Sequence, residues 1–438
     1  MSAIPAGIDT GRGPPMRLPL QHFFVGLGFL LLGGLVGVAN AIDVGRGLVL
    51  TAQLHLLLVG WVCITIMGAM TQFVPVWGGV DLYSRRLARW ALGLVVLGLL
   101  GLAGGLMTMR FDVVAGFAPV LLLGIWAFVY NIGRTLVRLD APDRTARHFG
   151  VALAAFVLLT ILGVALAVDL HRPTLHTVGI THGNARLAHL TLAVFGAVLL
   201  TVVGALYQLA TMFTQTELHG VDHHLAAVEE ALLPVGAFGL AIGRLLAVEL
   251  LAAAGGLAVV IGVLAIAVVL GRKLGEMRVP WTPMHRRYVV VTGGLAVWAV
   301  STAPSWAIDP LSPATRFGGP VGAHLIGGVV FGFVIMGTLY HVIPFIVWVE
   351  RYSDRLGFER VPMVDDLYLE RVANADFVLL VAGNALLLVW ELFGLPLAVG
   401  LLAMAMIGGG ILLFVGNMFY VVHRHGPDGL HVLLPSRS

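Results

Sequence analysis

The chain has one cysteine, Cys63, so it forms no intramolecular disulfide and has no cysteine cluster for a zinc or iron–sulfur centre. Charged residues are also scarce: they make up 11% of the 438 residues, whereas hydrophobic residues make up 59%. Soluble domains carry about 25% charged residues. The deficit excludes a soluble globular protein and is typical of a polytopic membrane protein.

Several chemical signatures are absent as well. The sequence has no phosphate-binding glycine loop, no nucleophile triad and no nucleic-acid-binding motif. Residues 1–20 contain four prolines and two arginines, and they lack the apolar core of a cleavable signal peptide. We therefore expect residues 1–21 to be a cytoplasmic segment and the first membrane span to act as the insertion signal.

Long apolar segments fill most of the remaining chain. A membrane-spanning helix needs about 20 predominantly apolar residues, and twelve segments meet that requirement. The predicted spans 1 to 12 are 22–42, 48–77, 86–108, 112–136, 149–169, 185–213, 226–245, 248–271, 287–307, 320–349, 374–393 and 397–423. The sequence thus predicts an all-α membrane domain over residues 22–425 and a cytoplasmic tail, 426–438.

Basic residues are distributed unevenly between the two predicted faces. The termini and the loops after spans 2, 4, 6, 8 and 10 hold 20 of the 26 lysines and arginines. Because basic residues accumulate on the cytoplasmic side of a membrane, both termini are predicted to be cytoplasmic. An even number of spans also requires both termini to lie on the same side of the membrane. We expect a multi-pass protein of a prokaryotic cell membrane.

One helical pattern occurs three times. In spans 2 and 10 a histidine precedes a glycine and a proline at equal spacing: His55, Gly68 and Pro75; His324, Gly337 and Pro344. Span 6 has Gly204 at the glycine place and Thr191 at the histidine place, with His189 two residues earlier. Four spans then form each repeat, over about 22–136, 149–271 and 287–423. Repeats with an even number of spans share one orientation, which predicts pseudo-threefold symmetry about the membrane normal.

The two repeated histidines are candidate cofactor ligands. At 1.5 Å rise per residue, equal positions in two helices of the same orientation place His55 and His324 at one depth, near the outer face. An ionisable residue inside a span is a functional-site hypothesis, and two imidazoles on opposite faces of a haem give a low-spin iron suited to electron transfer. An interfacial polar residue is the alternative for each histidine alone.

The sequence around His324, with LYHVIP further along the helix, resembles the tenth helix of haem–copper oxidase catalytic subunits. The run His55-LLLVGWV resembles a haem-binding helix of the same superfamily. The resemblance is closest to cbb-type cytochrome c oxidases and nitric oxide reductases, and the twelve-span plan extends it over essentially the whole chain. It implies a low-spin haem b held by His55 and His324.

Three departures from the family pattern concern the oxygen-reducing centre. The place of the high-spin haem ligand is Gly322. His189 matches the copper ligand of the sixth helix, but the seventh span has no histidine, and the pair His223–His224 lies on the predicted inner side. The arginine pair that holds haem propionates between the last two helices is also missing. The resemblance therefore implies a degenerate binuclear site, with copper at His189 in doubt.

Three functions remain open at this stage. The first is intramembrane electron transfer through a bis-histidine haem b, with a cytochrome or cupredoxin-type donor and partner subunits. The second is an active terminal oxidase or nitric oxide reductase, which would make the chain an oxidoreductase. The third is a haem-free metal-handling or transport protein on the same scaffold.

Other polar residues have weaker interpretations. The loop before span 6 carries His171, His176 and His182, which together with His189 are candidates for an outward-facing metal site. Glu229 and Glu230 at the inner end of span 7 fit either stabilisation of the helix N-terminus or a proton entry. We expect the residues that begin the first span of each repeat, His22, His148 and His285, to lie at the membrane interface.

Overall fold

The computed structural model describes residues 14–427 and 429–433. It contains twelve helices that are long and apolar enough to cross a membrane, and no strand occurs in the described part of the chain. Spans 1 to 12 are Arg17–Ala41, Val49–Gly78, Arg85–Met107, Phe111–Leu136, Arg144–His171, His182–Thr214, Val221–Leu246, Glu249–Gly275, Pro283–Ile308, His324–Arg355, Glu370–Phe393 and Leu397–His425. The prediction of an all-α, multi-pass membrane protein is confirmed.

Several helices begin before the apolar segments predicted from sequence. Asp143 accepts a hydrogen bond from the backbone N–H of Ala146 at 2.8 Å, so span 5 starts at Arg144 rather than at residue 149. Thr181 caps span 6 in the same way through the N–H of Asn184. Capping side chains satisfy backbone donors that have no partner within the helix, and hydropathy alone does not detect them.

The turn between spans 7 and 8 lies close to the predicted place, after residue 245. Arg244 lies inside span 7 and is fully buried. The chain reverses at Ala247, which adopts left-handed backbone torsions with φ of 55°. An arginine inside an apolar helix requires internal hydrogen-bond partners, and these partners are described with the candidate site.

Both ends of the described chain lie at one end of the bundle. The guanidinium of Arg17, at the start of span 1, donates to the backbone carbonyl of His431, 3.3 Å away, in the short 3-10 helix Gly429–Leu433. This contact agrees with an even number of spans.

Spans 2, 6 and 10 each contain a π-helical segment, which the sequence did not predict. These segments are Leu56–Cys63, Leu192–Leu199 and His324–Phe331. Each begins at, or one residue after, the histidine place of its repeat, and α-helix continues beyond it. π-Helical turns are rare and occur frequently at functional sites. Their coincidence in three helices supports the threefold repeat.

A cavity of about 80 Å³ lies where spans 2, 6 and 10 meet. Five sets of repeat-equivalent residues line it: Thr65, Thr201 and Val334; Ile66, Val202 and Ile335; Ala69, Ala205 and Thr338; Met70, Leu206 and Leu339; Phe73, Leu209 and Val342. Every set has the same sequence spacing as Gly68, Gly204 and Gly337. The three helices therefore face one another around a pseudo-threefold axis.

The repeated glycines allow the first span of each repeat to approach the second. A Cβ added at Gly68 would lie 2.7 Å from the Cβ of His22, and one added at Gly204 would lie 2.5 Å from the Cβ of His148. At Gly337 the nearest atom is the Cβ of Arg287, 3.2 Å away. Close backbone approach through small residues is a principal means of packing membrane helices.

We predict that Gly204→Ala destabilises the bundle by about 1–3 kcal/mol, the usual cost of adding a methyl group to a full core. The added Cβ meets His148 at 2.5 Å, a distance that no rotamer change at residue 204 relieves. Thermal unfolding in detergent, followed by circular dichroism, measures the effect.

Gly150→Ala is the matched control for this prediction. Gly150 lies on span 5, and a Cβ there meets nothing within 4 Å. Its midpoint should not fall, because alanine is the better helix former. Equal midpoints for the two variants would contradict the packing role assigned to Gly204.

Candidate functional site

His55 lies at the last α-helical residue of span 2 before its π-helical segment. Its Nδ1 is 2.8 Å from the backbone carbonyl oxygen of Thr51. A carbonyl only accepts, so Nδ1 carries the proton and donates it. The neutral ring therefore has a free lone pair on Nε2, which is the form that binds a metal ion.

His189 has the same tautomer by a different contact. Its Nδ1 donates to the carbonyl oxygen of Leu159 in span 5, 2.8 Å away. Gly163, one turn along that span, leaves room for the ring, because a Cβ there would lie 3.1 Å from the Cε1 of His189. The backbone of a neighbouring helix thus fixes the orientation of this imidazole.

The structure brings His55 and His189 together. Their ring centres are 6.4 Å apart and the ring planes differ by 23°. Two imidazoles on opposite sides of one ion, each bound at about 2 Å, have ring centres about 6 Å apart. The separation therefore suits a single metal ion between spans 2 and 6.

His324 has a carboxylate as its partner. Its Nδ1 is hydrogen-bonded to Glu391 of span 11, and each side chain is 36% exposed. A carboxylate on the second ring nitrogen of a histidine fixes the tautomer and raises the basicity of the nitrogen that binds metal. His324 is thus arranged as a ligand, although its described contact is with Glu391 and not with His55 or His189. The pairing of His55 with His324 stays a prediction.

The surroundings of His324 include space and an unpaired donor. A Cβ added at Gly327, one turn along the helix, would meet nothing within 4 Å. A Cβ added at Gly332 would come no closer than 4.0 Å to the indole of Trp61 in span 2, whose buried Nε1–H has no hydrogen-bond partner. Buried donors are normally satisfied. Small residues with an unpaired donor between spans 2 and 10 fit a flat bound group such as a haem.

In span 6, Thr191 stands at the place that His55 and His324 occupy in spans 2 and 10, and it has a different role. Its hydroxyl accepts a hydrogen bond of 2.8 Å from the guanidinium of Arg244. That guanidinium also donates to the backbone carbonyls of the loop before span 10, at Pro310, Thr315 and Arg316. At the histidine place, the middle repeat therefore has a threonine that is bonded by a cross-linking arginine. An arginine in the apolar span 7 was the sequence signal for this role.

Gly322 lies two residues before His324, at the place where haem–copper oxidases, which the sequence resembles, have the ligand of their high-spin haem. A Cβ there would lie 2.5 Å from the backbone carbonyl oxygen of Phe317, which also accepts a hydrogen bond from the indole of Trp298. No side chain fits without moving backbone. The residues present do not fit a second, high-spin haem held in the family's manner.

The histidines of the loop before span 6 do not converge. His182 bonds the carboxylate of Asp169 at 2.9 Å, and that carboxylate also accepts two backbone N–H groups. His189 is turned toward Leu159 instead. No group of three or more metal-ligating side chains forms here among the described residues. The structure therefore does not bring together the loop histidines that were candidates for an outward-facing metal site.

His219, Asp222 and Glu276 are the one such group that the described residues form. Lys273 already lies 2.8 Å from Asp222 and 2.6 Å from Glu276. The Lys273 ammonium holds the pKa of the Glu276 carboxyl below its usual range. Arg272 pairs with both carboxylates as well, so these side chains form an ion-pair network.

The chain matches no protein-family model and no curated protein.

We predict that Arg244→Gln lowers the free energy of unfolding by about 2 kcal/mol or more. The change leaves the hydroxyl of Thr191 and buried carbonyls without the charged donor that now bonds them, and each charged hydrogen bond contributes about 1.5–3 kcal/mol. Chemical denaturation in mild detergent measures the loss.

Arg316→Gln provides the control for Arg244→Gln. Its guanidinium donates only to Pro313, in the same exposed loop. The two variants remove the same charge from the same end of the bundle. A similar stability change in both would contradict the cross-linking role of Arg244.

Proposed function

We propose that this chain is a membrane haem b protein that transfers electrons between partners through a bis-histidine haem at its outer end. The carrying observation is the arrangement of His55, His189 and His324. Each ring has its Nδ1 held by a carbonyl or carboxylate, which leaves Nε2 as a lone-pair donor. When bound, the haem iron supplies reversible one-electron chemistry.

The chain's own residues supply orientation and tuning. His55 and His189 are fixed by backbone carbonyls, and His324 is fixed by Glu391. The carboxylate makes His324 the more basic ligand, which favours the oxidised iron. His55 with His324 is the ligand pair that the resemblance implies. His189 is the alternative partner for His55 that the 6.4 Å ring separation supports.

Electron transfer is favoured over oxygen or nitric oxide reduction. A reducing centre of the family's type needs a second haem ligand at residue 322 and more histidines on span 7. Gly322 is packed against the carbonyl of Phe317, and span 7 places Arg244 at its outer end. The proposed protein therefore needs an electron donor, of cytochrome or cupredoxin type, and an acceptor subunit in a prokaryotic cell membrane.

A second candidate is supported by the His55–His189 pair alone. Two neutral imidazoles whose ring centres are 6.4 Å apart suit a single copper ion without haem. In that case the chain is a metal-handling protein, and His324 is not a ligand.

We predict that the purified protein contains haem b with bis-histidine absorbance, and that His55→Ala abolishes it, since His55 belongs to either ligand pair. Visible spectra and pyridine haemochrome assays measure haem, and elemental analysis measures iron and copper. His324→Ala and His189→Ala identify the second ligand, because only one of them should convert the spectrum to that of a five-coordinate haem.

His171→Ala is the matched control for these histidine variants. His171 is exposed at the outer end of span 5 and bonds neither His55 nor His189, so its spectrum should equal that of the wild type. Copper without iron, lost in both His55→Ala and His189→Ala, would select the second candidate. A protein with neither metal would reject both.

A further inference from the structure

A buried polar triad lies at the opposite end of the second repeat. The carboxylate of Glu229, in span 7, accepts a hydrogen bond of 2.8 Å from the hydroxyl of Tyr207 in span 6. Its other oxygen is 3.0 Å from the Nε2 of His148 in span 5. The carboxylate is fully buried and the imidazole is 1% exposed. Glu229 therefore does more than stabilise a helix end. His148 was predicted to lie at the membrane interface, but it is buried inside the bundle.

The hydrogen bonds of this triad require one shared proton. His148 donates through Nδ1 to the carbonyl of Arg144, 2.8 Å away. A hydrogen bond between Nε2 and Glu229 then needs a proton on either the imidazole or the carboxyl group. Without this proton, the lone pair on Nε2 of His148 faces the Glu229 carboxylate, which is repulsive. With two protons, the N–H of His148 and the O–H of Glu229 face each other, and neither has an acceptor. The pair thus holds one proton, and together its members are electrically neutral.

The third repeat contains a copy of this triad in which an arginine replaces the histidine. Tyr340, three residues after Gly337 as Tyr207 is after Gly204, donates to the buried carboxylate of Asp376 in span 11. The base from the first span is Arg287, which pairs with Asp376. A guanidinium does not lose its proton in proteins. The copy therefore has no titratable base beside its carboxyl group.

The first repeat shows that the fold does not require a carboxylate here. The place of Tyr207 and Tyr340 is taken by Thr71, and span 3, Arg85–Met107, has no acidic residue. His22, which packs on Gly68 as His148 packs on Gly204, bonds only the carbonyl of Leu18. Bundle packing alone is therefore satisfied without the triad.

Charged residues connect the second triad to the aqueous phase. Glu230 forms ion pairs with Arg144 and Arg147, and the Arg147 side chain is half exposed. The guanidinium of Arg144 also lies over the ring of Tyr207, 5.1 Å from its centre. The negative charge of Glu230, the residue next to Glu229, is thus paired with two arginines, one of which reaches water.

We propose that His148, Glu229 and Tyr207 form a proton-binding site that exchanges one proton with water at the predicted cytoplasmic face. In the loaded state the proton is bonded either to Nε2 of His148 or to Oε1 of Glu229. In the unloaded state that N–H or O–H bond is broken, the proton is on water, and a neutral imidazole faces a carboxylate. Tyr207 keeps its proton and donates in both states.

Infrared difference spectroscopy of the full chain in lipid tests this proposal. Raising the pH in H2O and D2O should remove one carboxyl or imidazolium band from the wild type. Glu229→Gln should lack that change, and so should His148→Arg, which recreates the arginine–carboxylate pair of the third repeat. Asp376→Asn is the matched control and should retain it. Arg287→His should add a second exchangeable band.

Several results would overturn the proposal. One is a wild type without such a band, and another is a band that persists in both Glu229→Gln and His148→Arg. If Glu229→Gln does not fold, His148→Arg and the gain expected for Arg287→His still decide. The measurement detects protonation and not haem, so it is independent of the function proposed for the outer histidines.

Discussion

The contact between the first and second spans of each repeat is the constraint on which the other features depend. Because Gly68 and Gly204 have no side chain, His22 and His148 pack directly against the backbone of spans 2 and 6. Arg287 takes the same position beside Gly337 in span 10. These contacts set spans 2, 6 and 10 around one axis. The outer ends of those spans hold the histidine places, and their inner ends hold the tyrosine places. Both polar sites are therefore consequences of one packing arrangement used three times.

The three repeats use equivalent places for different chemistry. At the outer end of the second and third repeats, the residue at the histidine place contacts the third span of its repeat. Thr191 bonds Arg244, and His324 bonds Glu391. Glu229 and Arg244 are separated by the same 15 residues as Asp376 and Glu391. Spans 7 and 11 thus each present one polar residue to each end of the bundle. Symmetry of the scaffold leaves the identity of each residue free to differ.

Much of the fold was predictable, and less of the site. Twelve spans and the threefold repeat follow from apolar length and from glycine and histidine spacing, because both are periodic in sequence. The neighbour relation of His55 and His189 was not predicted, since it depends on how span 6 rotates against spans 2 and 5. The partners of Arg244 were not predicted either, because they are backbone carbonyls of a distant loop, and sequence spacing does not reveal such contacts.

The π-helical segments bear on the history of the chain. A π-helical turn corresponds to one residue inserted into an α-helix, and here three such turns lie at one place in three helices. A single insertion in an ancestral four-helix unit, followed by two duplications, accounts for all three with the fewest events.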